Sequence, residues 1–208
     1  AIVKETVKKY KDTIIFNGNN YSDEWVEEAK KRGLLNLKST PEALPYLVSK
    51  KNVDLFTKYG VYTEVELNSR CEILLENYSK VINIEALTML DMAKKAILPA
   101  VIEFANTLAQ TVNAKKAVSA DINCEAEEAL LKRISALSAS MYKKIDELDA
   151  KVCAAKDTEE AEALAMYYKE SVIPAMSELR VAADELETIV DQKYWPFPTY
   201  GKLLFGVN

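Results

Sequence analysis

The chain has 208 residues, with 27 Lys and Arg against 32 Asp and Glu, a formal net charge of −5. Hydrophobic residues make up 49% and charged residues 28%, as in an ordinary globular protein, and the acidic balance argues against a general binder of nucleic acid or anionic membranes. Histidine is absent, which removes Ser-His-Asp and Cys-His catalysis, His-ligated zinc and the Glu-x-x-His di-iron bundle site together. No apolar run approaches the ~20 residues that cross a bilayer, and AIVKETVKKYKD does not read as a signal peptide.

The first sixty residues read as a small lobe. A short helix is expected near 1–11, then an extended TIIF segment ending in the turn-like Asn17-Gly18. A helix over 23–32 follows, capped by Ser22 and closed by Gly33, with Tyr21 and Val26 spaced for a hydrophobic staple. Thr40-Pro41 marks another helix start, running to about Lys50, and a last short helix ends before Gly60.

From Val61 to Tyr200 there is no glycine, and the stretch is rich in Ala, Leu, Glu and Lys, the composition of long helices. Thr63 and Glu66 form a capping-box pair at the start of a helix expected to reach about Val118. Two further stripes, Leu130 to Val152 and Leu164 to Val190, advance in steps of three and four residues, the period of a helix face. Asp157 and Glu160 resemble a second capping pair between them, so the two helices read as an antiparallel hairpin. The expected fold is therefore all-α. It is an antiparallel bundle of three long helices, 63–118, 124–156 and 159–191, with a small mostly helical lobe at 1–60. Bundle (61–193), lobe and an extended tail (194–208) form one structural domain overall. Pro99 and Pro174 are expected to kink their helices at nearly one height.

Charge is uneven, since residues 121–193 hold 9 Lys and Arg against 17 Asp and Glu. This is either a solvated acidic face or a surface that orients a basic neighbour. The tail carries Tyr194, Trp195, Phe197, Tyr200 and Phe205, with prolines at 196 and 198 that forbid a regular helix through its first half. Trp195, Phe197, Tyr200, Leu203 and Phe205 are the candidate packing or interface anchors. They either fold back on the bundle or dock against another domain or subunit.

Chemistry is sparse. There is no phosphate-binding G-x-x-x-x-G-K-[ST] or G-x-G-x-x-G motif. FNGNNYSDEW is turn-rich, and its structural reading outweighs a ligand role. Glu85, Asp91 and Glu103 fall in the apolar middle of the long helix, but their spacing does not gather them on one face. Cys71, Cys124 and Cys153 are odd in number and lack a C-x-x-C pair, so they read as reduced thiols in a cytoplasmic protein, Cys71 within the core. No catalytic, cofactor-binding or metal-binding residue is assigned.

Three segments taken in order carry a likeness: IIFNGNNYSDEWVEEAKKRGLLNLKSTPEALPYLVS, INIEALTMLDMAKKAILPAV and YWPFPTYGKLLF. Together they resemble the C-terminal region of bacterial type III glutamine synthetases, over nearly the whole chain. Asn20, Asn68 and Cys71 depart from the residues common there, namely glycine, histidine and an aromatic. The resemblance implies a piece of a longer ATP-dependent ligase that makes glutamine from glutamate and ammonia, with Mg²⁺ or Mn²⁺, through a glutamyl phosphate. It places the ATP, glutamate and metal sites in an upstream synthetase domain and implies a dodecamer of two stacked hexameric rings. The present segment would then support that domain or the oligomer, and no catalytic residue carries over to it. A free-standing helical adaptor is the alternative reading.

Overall fold

The computed structural model describes residues 2–11, 15 and 18–206, without the side chain of Tyr200. The TIIF and Asn17 expectations fall largely outside these residues. Among them, every regular element is helical.

The lobe comprises α1 (Ile2–Tyr10), α2 (Asp23–Lys31), α3 (Thr40–Leu47) and α4 (Lys50–Lys58). Ser22 and Ser39 hold the extended backbone of N-caps, so α3 is capped one residue earlier than Thr40. Gly33 and Gly60 adopt φ of 74° and 64°, the left-handed conformation that ends α2 and α4 and that glycine enters without strain. The expected helix to Lys50 is instead divided at Ser49, which caps α4. Tyr21 is 99% exposed, so no staple forms with Val26.

The long helices are present, with adjusted bounds. α5 (Glu64–Met92) continues through a π turn (Ala93–Ile97) into α6 (Leu98–Val118). At its start Glu66 N–H donates to Thr63 Oγ1 and Thr63 N–H to Glu66 Oε2 (2.8 Å), the reciprocal capping box. Thr63→Ala should cost ~1 kcal/mol in chemical denaturation, the usual worth of such a cap. α7 (Glu125–Ala154) runs back, and a 3₁₀ turn (Ala155–Asp157) leads to α8 (Ala161–Tyr167), a second π turn (Tyr168–Val172) and α9 (Ile173–Glu187). The return helix is capped by Glu160, which accepts from the N–H groups of Glu162 and Ala163, rather than by an Asp157–Glu160 pair.

Pro99 and Pro174 each sit in the first turn after a π turn. Proline lacks an N–H and its ring crowds the carbonyl four residues back. The preceding turn widens, and Leu98 N–H donates to Ala93 O, Ile173 N–H to Tyr168 O, each five residues away. The two bends are not at one height. Ala161 and Ala165 settle beside Cys71 and Leu75, near the start of α5, so the return helix begins lower than a symmetric hairpin would. Tyr168 Oη correspondingly donates to Asn83 Oδ1 (3.1 Å), and at ~1.5 Å per residue Pro174 falls ~15 Å short of Pro99 along the bundle.

The main core is the seam of the three long helices: Leu90, Val101, Ile134, Met141, Ile145, Leu148, Val172, Leu179 and Leu186 are all buried. Leu137 is only half-buried and Leu130 is exposed, so α7 turns its N-terminal flank outward. At the α6–α7 connection Lys115 pairs with Glu127 and Lys116 with Glu128.

A second, smaller core fixes α3 against α5 and α8. Leu44 and Val48 pack on Cys71, Leu75 and Ala165, and Cys71 Sγ donates to Leu44 O (3.5 Å). Lys169 Nζ reaches Glu42 Oε1 at 2.7 Å, and Ser39 Oγ donates to Glu42 Oε2 at 2.7 Å. The Lys169 ammonium, followed by the Ser39 hydroxyl, holds the Glu42 carboxyl at about 2, against an ordinary 4.5. A depressed carboxyl stabilises the fold above its unfolded pKa, and that contribution is lost as pH falls through the folded value. The difference in melting temperature between the parent and Glu42→Gln should therefore be full at neutral pH and shrink between about pH 4.5 and 2.

Candidate docking surfaces

The tail divides into an anchored half and an outward half. Asp191 O accepts the N–H groups of Tyr194 and Trp195, turning the chain back over α6. The Tyr194 ring lies 5.5 Å from that of Phe104, and its hydroxyl shares a 2.9 Å hydrogen bond with Thr107 Oγ1. Trp195 and Phe197 are half-buried against the main core. Thr199 then caps a final short helix, α10 (Tyr200–Phe205), accepting from Lys202 N–H. The expectation of an extended tail thus holds only as far as Pro198, beyond which no proline interrupts the helix. Of the anchors named from sequence, Trp195 and Phe197 pack inward, whereas Leu203 and Phe205 are 64% and 81% exposed. The Tyr200 side chain lies outside the described residues.

Trp195 and Phe197 form one wall of a groove of about 610 Å³ between α5 and α9. Met89, Met176 and Leu179 line it deepest, Met92 lines it from a more exposed position, and Glu85, Asp184 and Glu187 add acidic groups, with Arg180 bonded to Asp184 (3.3 Å). Methionine thioethers are flexible and polarisable, which suits a groove to a helical guest. The groove adjoins an outward row on α5, Ile73, Val81, Ile84 and Leu87, whose steps of eight, three and three residues keep them on one face. All four are exposed, Ile84 at 63%. Among the described residues, the flank of α5 that carries this row is left uncovered.

A second depression, about 650 Å³, lies between α5 and the start of α8. Glu72, Glu76, Glu159 and Glu162 face it, and Lys80 is bonded to Glu76. Among the described residues no three or more Cys, Asp or Glu are placed to hold a metal ion. Glu85, Asp91 and Glu103 are dispersed on the surface, with Asp91 paired to Lys95. Desolvation raises the Cys71 thiol above its ordinary range, which suits a core residue rather than a nucleophile. Nor is any described helix long and apolar enough to cross a membrane.

Comparison with known proteins gives these surfaces a context. Residues 1–116 match the family described as the glutamine synthetase C-terminal domain. The chain belongs to that family. It is 43% identical over 207 residues to a glutamine synthetase of Butyrivibrio fibrisolvens, covering 100% of the chain and 29% of that protein. It is 38% identical over 208 residues to the type-3 glutamine synthetase of Dictyostelium discoideum, covering 98% of the chain and 28% of that protein. A glutamine synthetase of Bacteroides fragilis (strain YCH46) is 30% identical, again with 28% of its length covered. The chain therefore spans less than a third of these relatives, as a C-terminal segment. Among the described residues no cluster of carboxylates or thiols could hold a divalent metal, and no step through a metal is assigned to this chain.

Proposed function

We propose that this glutamine synthetase C-terminal domain is a docking element of a longer enzyme that joins ammonia to glutamate, using ATP and Mg²⁺ or Mn²⁺. In this reading it contributes no catalytic residue. It holds the upstream synthetase portion and neighbouring subunits, as the lobe, bundle and tail of one unit. The observation that carries the proposal is the outward apolar row Ile73, Val81, Ile84 and Leu87 on α5. Val81, Ile84 and Leu87 follow one another along it, Ile73 lies two turns away beyond the Glu76–Lys80 pair, and apolar side chains grouped in water are a recurrent sign of an interface. The free thiols Cys71, Cys124 and Cys153 fit a reducing, cytoplasmic setting.

The test is the pair Ile73→Asp and Leu87→Asp in the full-length enzyme. Both positions are exposed, so helix content and the melting of this domain should stay near those of the parent. Sedimentation velocity should show a smaller assembly. An unchanged assembly with both charges in place would contradict the docking reading.

A further inference from the structure

The groove between α5 and α9 is lined by apolar side chains, and Glu85, Asp184 and Glu187 in its lining outnumber Arg180. Elsewhere in the same chain, α1 presents the complementary surface. Ile2, Val3, Val7 and Tyr10 share one helical face, all of them exposed, while Lys4, Lys8 and Lys9 outnumber Glu5 around it. No residue of α1 is buried. At ~1.5 Å per residue, nine residues span ~13 Å, shorter than the stretch from Ile84 in α5 to Ile97 at the end of the π turn that lines the groove.

We infer that the groove receives α1 of a neighbouring copy of this chain, an amphipathic basic helix laid apolar face down among Met89, Met92, Met176, Trp195 and Phe197. The docking of an amphipathic helix in an apolar groove follows a known mode, and opposite charge along the groove sets its orientation. A neighbour's helix is favoured over the chain's own by where α1 is tethered. Arg32 Nη1 donates to Ile15 O (2.6 Å), tying the stretch after α1 to the end of α2. α3 is in turn fixed near the start of α5 by Cys71 and Leu44. From Cys71 to Met89 is eighteen residues, ~27 Å of helix, so the groove opens well away from α3, the lobe helix that packs on the start of α5. Reciprocal exchange of α1 between two copies forms the same contact twice, as a two-fold axis requires.

This inference deepens the docking reading by naming one partner surface, and it has its own test. Two tagged forms of the full-length enzyme, both carrying Cys153→Ser, are co-expressed, one with Val7→Cys and the other with Ile84→Cys. Mild oxidation should yield a disulfide-linked heterodimer carrying both tags. Val7→Asp should weaken association by about tenfold or more in Kd, the loss of one buried apolar anchor. Combining Lys4→Glu with Lys8→Glu should weaken it as well, and adding Glu85→Lys with Glu187→Lys should restore it. No mixed-tag product, or a disulfide confined to a single chain when both cysteines share one polypeptide, would overturn the inference. If removing the whole domain dismantles the enzyme while the α1 variants and cross-links have no effect, this inference fails and the docking reading stands. If the cross-link forms but assembly survives loss of the domain, the reverse holds.

Discussion

Replacing Met141 or Leu148 with Ala is expected to lower the unfolding free energy of the domain by ~2–5 kcal/mol. Both side chains have no exposed surface and sit where α7 meets α5, α6 and α9, so deleting them loses transfer free energy and leaves a cavity the seam cannot close. Ile145, 2% exposed, belongs with them. Leu137 occupies the same stripe but is only half-buried, and Leu137→Ala should cost distinctly less. Chemical denaturation of the four variants checks this ranking. If Met141→Ala unfolded at the parent's midpoint, the three-helix seam described above would be wrong.

Removing the tail from Tyr194 onward is expected to destabilise the domain by itself, before any question of assembly arises. Three aromatic rings leave the core together, and the Tyr194–Thr107 hydrogen bond goes with them. At ~25 cal/mol per Å² of apolar surface, the loss is on the order of several kcal/mol even for half-buried rings. A shorter truncation, from Tyr200 onward, should leave the melting temperature almost unchanged, because Leu203 and Phe205 touch little of the bundle. Thermal melts of the two truncations separate the halves of the tail. Equal losses from both would show that α10 contributes to the core, against its observed exposure.

The long helices were legible because their information is local. Thr63 and Glu66 are three residues apart, and the stripe from Ile134 to Val152 repeats every three or four residues, so neither feature depends on distant contacts. Pro99 and Pro174 were legible as disturbances but not as π turns, since the five-residue hydrogen bond that bypasses each missing donor has no signature in the residue types around it. Their relative height could not be read from helix lengths. It is set by a tertiary choice, the seating of Ala161 and Ala165 beside Cys71 and Leu75.

The docking surfaces were half legible. The glycine-free composition and the capping box marked α5 as a helix, but nothing local says which side of it the hairpin leaves open. For the tail, composition identified the aromatics, whereas the division between inward Trp195 and Phe197 and outward Leu203 and Phe205 depends on the turn at Asp191 and the cap at Thr199. The Glu42–Lys169 contact joins residues 127 positions apart and has no local signature at all.

The central claim is that this domain serves assembly rather than chemistry. The most direct measurement compares the mass of the full-length enzyme in solution with that of a form lacking these 208 residues, alongside the binding of ATP by each. The account predicts that the shortened protein forms a smaller assembly or single subunits yet still binds ATP. An assembly of unchanged subunit number after the deletion would contradict it.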